Sequence, residues 1–242
     1  MKEFTLIKTL EEGFSLLKLP YNKDIDSKFA LYRDILKEWN KKINITSIED
    51  DEEIYIKHFI DSVLLLNENN INEKKTVIDV GTGGGFPGLP LKIVNDNYKI
   101  TLLDSLKKRI DFLSQVTKAL DLSDVNLIHG RAEDYGQNKE LRECYDICVS
   151  RAVAPLNVLS EYCIPFVKVG GYFAAYKSDN ISQEISNSDN AIKKLGGKIK
   201  EIKEISIPAT DIIRKIVIIE KIEPTNTRYP RKAGKPSKDP LK

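Results

Sequence analysis

Long apolar runs, histidine and cysteine are all scarce in this sequence, and each shortage excludes a class of protein. No apolar run approaches the ~20 residues of a membrane-spanning helix, and the opening stretch MKEFTLIKTLEEG carries acidic side chains too early for a secretory signal. The three cysteines, Cys144, Cys148 and Cys163, are odd in number and have only two histidines for company. We therefore expect no membrane span, no metal site and no disulfide framework, but reduced, buried thiols in a cytoplasmic protein.

The charge of the chain is distributed unevenly. The 242 residues, 41% of them hydrophobic, suffice for one large domain or for a domain with a small addition, and their net charge is +2. Residues 228–242, RYPRKAGKPSKDPLK, contain six basic residues and one acid, so this tail carries +5 and the remaining 227 residues sum to −3. Such a tail attracts polyanions by counterion release, although a solvated terminus without function has the same composition.

The most informative motif is VIDVGTGGGFPGLPL at residues 77–91, a β-branched run that ends in an acid and a glycine-dense loop. Glycine lets the backbone approach a ligand closely, so the loop suits a nucleotide-containing cofactor. The frame Gly83-x-Gly85-x-x-Gly88 matches the dinucleotide pattern, in which backbone N–H groups hold a pyrophosphate. The frame Asp79-x-Gly81-x-Gly83-x-Gly85 is typical of S-adenosylmethionine-dependent methyltransferases, and it fits better because the loop's prolines remove donors that a pyrophosphate needs.

Hydrophobic periodicity divides the chain into three parts. From Phe4 to Leu66 apolar residues recur at helical spacing, which predicts about three helices, separated at Pro20 and at Asn44, with Asp50 or Asp51 capping the last. From residue 76 onward strands alternate with helices, the pattern of a parallel sheet. We accordingly expect a helical region at 1–70 packed on the core, a methyltransferase domain at 71–225 and a basic tail at 226–242.

The predicted elements of the middle part are those of a Rossmann-like, class I methyltransferase fold: an α/β domain with a seven-stranded, mostly parallel sheet. The predicted strands are Thr76–Asp79, Lys99–Leu103, Val125–His129, Tyr145–Ser150 and Gly171–Tyr176, followed by a terminal hairpin of Lys198–Ile207 and Arg214–Ile222. The predicted helices are Leu89–Asn95, Leu106–Leu120, Leu156–Val167 and Ile181–Leu195.

Polar residues follow the ends of these strands, where open parallel sheets bind their ligands. Asp104 ends the second strand and is placed to accept hydrogen bonds from ribose hydroxyls. Glu133 follows the third strand and is a candidate to accept from an adenine amino group beside the backbone of Ala132, or else to cap a helix. Arg151 follows the fourth and is free to bind a cofactor carboxylate, a substrate phosphate or a surface acid.

Two absences narrow the reaction. The fourth strand is followed by Ser150-Arg151 instead of the Asn/Asp-Pro-Pro-aromatic run typical of exocyclic amine methylation, and no cysteine adjoins a proline as expected of a pyrimidine-carbon nucleophile. An acceptor that is already nucleophilic remains. A guanine ring nitrogen is one example, because its lone pair carries no proton to remove and alignment can then suffice.

Several motifs together resemble the bacterial RsmG (GidB) family over nearly the whole chain. They are NIT at 44–46, HFIDS at 58–62, VGTGGGFPGLP at 80–90, DSL at 104–106, RAE at 131–133, SRA at 150–152 and YPRKAG at 229–234. The resemblance implies transfer of a methyl group from S-adenosylmethionine to N7 of a guanine, position 527, in 16S ribosomal RNA. The motif and the resemblance together predict these cofactor-binding residues: Asp79, Gly81, Gly83, Gly85, Phe86, Asp104, Ser105, Leu106, Ala132, Glu133 and Arg151.

The catalytic residues are less defined by sequence. His58 and Asp61 lie three apart on one helical face and could act together, as a structural pair or on the acceptor base, and Arg151 is the third candidate. For RNA binding we expect the tail to act without contributing to the cofactor site, through Arg228, Tyr229, Arg231, Lys232, Lys235 and Lys238, with Tyr229 stacking on a base.

Three wider expectations complete the reading. We expect a monomer whose partner is 16S ribosomal RNA or the small ribosomal subunit. A noncatalytic RNA-binding factor for ribosome assembly is the alternative function. A nicotinamide-dependent oxidoreductase, which would use the Gly83–Gly88 frame, is the weaker one.

Overall fold

The computed structural model describes residues 10–67, 70, 72–151, 153–178, 181–208 and 210–241. Phe4, where the predicted helical region starts, and Ala152, within the motif after the fourth strand, lie outside the described residues. Within these ranges no helix is long and apolar enough to cross a membrane.

In the described part of the chain, seven strands form one mixed sheet. They are β1 (Thr76–Val80), β2 (Lys99–Asp104), β3 (Val125–His129), β4 (Tyr145–Arg151), β5 (Val167–Lys177), β6 (Gly197–Ser206) and β7 (Ile213–Lys221). Their order across the sheet is β3-β2-β1-β4-β5-β7-β6. The first five strands pair in parallel, while β7 runs antiparallel to both β5 and β6. This confirms the predicted fold, including the terminal hairpin.

Helices cover both faces of the sheet. They are α1 (Leu10–Leu16), α2 (Lys23–Ile43), α3 (Asp51–Ile54), α4 (Asp61–Val63), α5 (Gly88–Val94), α6 (Lys107–Ala119), α7 (Ala132–Tyr135), α8 (Leu156–Cys163), α9 (Ser182–Lys194) and α10 (Lys235–Lys238). A π-helical turn, Tyr55–Ile60, joins α3 to α4.

One predicted helix is wrong in its last four residues. The helix expected over Leu156–Val167 ends at Cys163, and a 3₁₀ turn follows over Ile164–Phe166. Pro165 lies in that turn and has no N–H to continue an α-helix. Val167 already belongs to β5, where it pairs with Tyr145, so this strand begins four residues before the predicted Gly171.

The N-terminal helices share their core with the sheet. Asn44 ends α2 in the left-handed conformation. Of the two acids predicted to cap the next helix, Asp50 does so: its side chain accepts from the Glu53 N–H at the start of α3. Phe29 and Phe59 from this region belong to the same buried cluster as residues of β1 and β4. The division of the chain into three parts stays a prediction. The hydrophobic core is shared by residues on both sides of the predicted boundary between 1–70 and 71–225.

Candidate active site

The glycine loop between β1 and α5 is held by internal hydrogen bonds. Gly83 and Gly85 have φ of +61° and +91°, which a residue with a Cβ rarely adopts. Asp79 lies beneath the loop, and its Oδ2 accepts from the Thr82 hydroxyl and the Gly88 N–H, each at 2.8 Å. Full burial raises the pKa of Asp79 to about 7. Asp79 and Gly85 therefore shape the loop from below, and neither lines the cavities described next.

Asp104 at the end of β2 is the second fixed point of this strand edge. Its Oδ2 accepts from the Gly83 N–H at 2.9 Å, and its Oδ1 accepts from the Leu106 N–H at 2.8 Å. Arg109 on α6 adds a contact to Oδ2 at 3.2 Å. The carboxylate is buried, and these three donors occupy three of its about four acceptor positions, so Oδ1 retains room for one further donor.

Two neighbouring cavities open at the carboxyl ends of the parallel strands. The first has a volume of about 380 Å³ and the second about 630 Å³. Four residues line both: Gly81, Asp104, Ser105 and Val153. The cavities thus form one continuous groove, with the Asp104 carboxylate at their junction.

The first cavity runs from β2 towards α7. Its lining is largely apolar, with an acidic group at each end, as suits a flat base and a sugar. The other residues that line it are Val80, Leu103, Leu106, Gly130, Arg131, Ala132, Glu133, Tyr162 and Gly234. Sequence reasoning placed Leu106, Ala132 and Glu133 here, but not Gly234.

The second cavity is bounded by the N-terminal helices and by β7. Its other lining residues are Ile45, Ile48, Lys57, His58, Asp61, Thr82, Gly83, Gly84, Phe86, Arg109, Arg151, Ile212 and Arg214. Basic residues outnumber acidic ones four to two. The predicted residues His58, Asp61, Phe86 and Arg151 are therefore brought together, and the cavity suits an anionic ligand.

Phe86 forms the wall between the glycine loop and the π-helical turn. The His58 ring stacks on it at 4.5 Å and 12°, and the Arg151 guanidinium lies 5.3 Å from the Phe86 ring centre. His58 Nε2 is 2.8 Å from the Thr46 hydroxyl. Burial, helped by the positive charge of Arg151, lowers the pKa of His58 to about 3, so the imidazole is neutral at physiological pH.

Asp61 is paired with two arginines instead of with His58. Arg151 Nη1 donates to Asp61 Oδ2 at 2.8 Å, and Arg214 donates to Asp61 Oδ1 at 2.7 Å and to Oδ2 at 3.0 Å. Asp61 is 1% exposed. The predicted cooperation of His58 and Asp61 is thus not what their contacts show, and Arg151 binds a buried acid of the protein, not a surface one. Arg214, 153 residues from Asp61 in sequence, was missed because nothing in the local sequence reveals such a partner.

The basic tail is not a free arm. Residues 225–241, which we call the C-terminal strap, pack against α7 and α8. Tyr229 is buried, so its ring is not presented to a base, and Arg231 is bound by the buried Glu161. These two predicted RNA contacts are therefore corrected, whereas the other four are exposed: Arg228, Lys232, Lys235 and Lys238.

The strap also reaches the first cavity. The Gly234 N–H donates to Glu133 Oε1 at 2.8 Å, and Gly234 lines the cavity wall. The tail therefore contributes to the cavity that is lined by the predicted cofactor-binding residues Leu106, Ala132 and Glu133, which sequence analysis did not expect.

The cysteines lie away from both cavities. Cys148 and Cys163 are buried, and burial raises the pKa of the Cys148 thiol well above its usual range. Cys144 is exposed, contrary to the expectation that all three are buried.

Comparison with known proteins assigns the chain to a family. The model of the GidB family, described as rRNA small subunit methyltransferase G, matches residues 25–215. The chain belongs to this family. A relative from Alkaliphilus metalliredigens (strain QYMF), named ribosomal RNA small subunit methyltransferase G, is 52% identical over 96% of this chain and 98% of its own length. A relative of the same name from Clostridium perfringens (strain 13 / Type A) is 51% identical over 100% of both chains.

A solved structure supports the fold independently. A SAM-dependent methyltransferase from Aquifex aeolicus superimposes with a TM-score of 0.54 and 17% identity, over 73% of this chain and 96% of that one. At this identity the likeness shows the fold alone.

Proposed function

We propose that this chain transfers a methyl group from S-adenosylmethionine to N7 of a guanine in 16S ribosomal RNA. Membership of the family makes it an rRNA methyltransferase that uses S-adenosylmethionine. The observation that carries the assignment of the site is the continuous groove, in which the first cavity suits an adenosine and the second a basic-lined acceptor site.

The residues of the first cavity fit the adenosine part of the cofactor. Asp104 Oδ1 retains acceptor capacity for one ribose hydroxyl, and the side chains of Val80, Leu103 and Leu106 supply apolar surface for the base. Glu133 Oε2 is left to accept from the adenine amino group, since Oε1 is bound by Gly234. When bound, S-adenosylmethionine supplies an electrophilic methyl group.

The hydrogen bonding of the glycine loop disfavours a nicotinamide dinucleotide. A pyrophosphate needs unpaired backbone N–H groups. Here the N–H groups of Gly81 and Thr82 donate to the Leu103 carbonyl, that of Gly83 donates to Asp104, and those of Gly85 and Phe86 donate to the Thr82 carbonyl. Few donors of the loop remain, which supports a sulfonium cofactor without phosphates.

The second cavity supports an acceptor that needs no general base. Guanine N7 offers a lone pair and no proton, so alignment at near-attack distance can supply most of the catalysis. His58 is neutral and bound to Thr46, and Asp61 is neutralised by two arginines, which argues against proton transfer by either. We infer that Phe86 and His58 position the base while Lys57, Arg109 and Arg214 attract the RNA backbone.

The remaining partner assignments are proposals of the same kind. We expect the exposed cations of the strap, Arg228, Lys232, Lys235 and Lys238, to add phosphate contacts at the rim of the groove. A monomer acting in the cytoplasm, on the small-subunit RNA or its particle, fits this arrangement.

The test is transfer of labelled methyl from S-adenosylmethionine to small-subunit RNA or subunits from cells that lack this gene, followed by nucleoside analysis. We expect the label in 7-methylguanosine. Asp104→Asn should lower the transfer rate, while Asp111→Asn, an exposed acid on α6 paired with Lys107, serves as the matched control. Cofactor binding and RNA binding without any transfer would favour the noncatalytic assembly factor.

A further inference from the structure

The C-terminal strap is fixed to the domain by contacts that do not use its exposed charges. Arg231 donates from Nε and Nη2 to both carboxylate oxygens of Glu161, at 2.7–3.1 Å, and its backbone N–H adds a fourth bond, to Oε1, at 2.8 Å. Glu161 is fully buried on α8. A buried carboxylate matched by a two-pronged guanidinium has one well-defined geometry, so the strap has a fixed position at Arg231.

Three hydrogen bonds before Arg231 and one apolar contact after it also fix the strap. Arg142 donates to the carbonyl oxygens of Thr225 at 2.6 Å and Tyr229 at 2.7 Å. Gln137, just after α7, donates to the Pro230 carbonyl at 2.8 Å. Beyond these, Leu241 is buried against the second core cluster. The strap is thus held before, at and after the position where it meets the first cavity.

At that position the strap presents a backbone donor to the cavity. The Gly234 N–H donates to Glu133 Oε1 at 2.8 Å, and Glu133 is 8% exposed. Gly234 has φ +80°, a conformation that favours glycine and is unfavourable for β-branched residues. A Cβ at Gly234 would meet nothing within 4 Å, so the position favours glycine because of its backbone conformation and not for lack of space.

We infer that Gly234 is a positioning residue for the cofactor, and that the strap completes the adenosine end of the site. By holding Glu133 Oε1, the Gly234 N–H fixes the direction of the carboxylate and leaves Oε2 for the adenine amino group. The inference rests on the proposed function, because it presumes that the first cavity takes the adenosine. It assigns the basic strap to the cofactor site in addition to the RNA.

Two substitutions of similar size at one position separate backbone conformation from bulk. Gly234→Val is strained at positive φ and should move the N–H away from Glu133, whereas Gly234→Asn tolerates this conformation. Calorimetric titration with S-adenosylmethionine should give a Kd about tenfold weaker for Gly234→Val and within about twofold of the parent for Gly234→Asn. Equal weakening by both would assign the effect to bulk and overturn the inference, as would no weakening by either.

The unmodified chain provides a second readout. If the strap supports the cofactor, the cofactor must by linkage stabilise the docked strap. Saturating S-adenosylmethionine should therefore slow trypsin cleavage after Lys232 several-fold, with cleavage after the exposed Lys198 on β6 as the internal reference. Equal protection at both positions, or none, would contradict a local role of the strap.

The two readouts also distinguish this inference from the proposed function. If the parent chain does not bind S-adenosylmethionine at all, the proposed function fails. If it binds, and Gly234→Val binds equally well with unchanged cleavage after Lys232, only the role of Gly234 fails.

Discussion

The N-terminal helical region and the C-terminal strap are both additions to the same sheet, yet they serve opposite ends of the groove. The N-terminal region supplies Lys57, His58 and Asp61 to the second cavity, from a π-helical turn and the helix after it. The strap supplies Gly234 to the first cavity. From composition, the strap is expected to bind RNA and not to line the first cavity, because it is the basic segment. We therefore propose that the place where a segment is anchored, in addition to its net charge, determines which ligand it contacts.

The largest loss of stability is expected from a substitution at Asp61, which joins the N-terminal region to the sheet. Asp61→Ala leaves Arg151 and Arg214 without their buried partner, and we expect the free energy of unfolding to fall by about 3–5 kcal/mol. Chemical denaturation measures this. Asp51→Ala, which removes a half-exposed partner of Lys37, is the control and should cost less than about 1 kcal/mol. Similar losses in the two variants would show that the Asp61 cluster is not a structural junction.

Asp79, beneath the glycine loop, should make the free energy of unfolding depend on pH. The pKa of Asp79 is about 7 in the folded chain against an ordinary 3.8, so the folded state holds a proton that the unfolded state has released between pH 4 and 7. The contribution of this group therefore favours folding at low pH and is lost as pH rises through 7. This group should lower the free energy of unfolding of the parent by roughly 2–4 kcal/mol between pH 4 and 7, and Asp79→Asn should remove that decrease. Identical pH profiles of unfolding for parent and variant would contradict the raised pKa.

A substitution at Asp104, where the two cavities meet, should weaken cofactor binding. Asp104→Asn keeps only one acceptor oxygen, so it cannot accept from both the Gly83 and the Leu106 N–H groups, and it leaves less acceptor capacity for the ribose hydroxyl that we propose to bind here. We expect S-adenosylmethionine to bind about 10–100-fold more weakly in calorimetric titration. Asp111→Asn, the exposed control on α6, should bind like the parent.

A substitution at His58 in the second cavity should lower kcat without changing the pH dependence of kcat. His58→Gln removes the ring that stacks on Phe86, and we expect kcat to fall about tenfold at saturating cofactor, with the Kd for S-adenosylmethionine unchanged. The pKa of His58 is about 3, so its charge does not change between pH 5 and 8. An inflection near pH 6.5 that is present in the parent and lost in the variant would instead identify His58 as a titrating catalytic group.

The smallest effect is expected at the exposed cations of the strap. Lys232→Gln should reduce the slope of log affinity for RNA against log salt by about 0.7, if Lys232 neutralises one phosphate. The Kd for S-adenosylmethionine should not change, because the Lys232 side chain is exposed and does not line the first cavity. Filter binding at several salt concentrations measures the slope, and an unchanged slope would place the RNA elsewhere.

Sequence patterns were sufficient where the determinants are local. The strand bounds of β1–β4, the glycine loop, Asp104 and Glu133 follow from alternation, φ preference and the rule that ligands bind at strand ends. The terminal hairpin of β6 and β7 was also predicted to within about one residue.

Contacts between distant parts of the chain could not be predicted in the same way. The pairing of Asp61 with Arg214 and of Glu161 with Arg231 joins residues far apart in sequence, and a carboxylate gives no sign of which guanidinium it meets. For this reason sequence analysis assigned the strap to RNA binding alone. The burial of Tyr229 and the positive φ of Gly234 are likewise visible only in the folded chain.

The division of the groove is tested most directly by crossing two conservative substitutions with two ligands. Glu133→Gln lies in the first cavity and Lys57→Gln in the second. The Kd for S-adenosylmethionine and the KM for small-subunit RNA are measured on both variants. We predict that Glu133→Gln raises the Kd and leaves the KM unchanged, and that Lys57→Gln does the opposite. If both substitutions change the same constant, the cavities do not divide cofactor and acceptor as described.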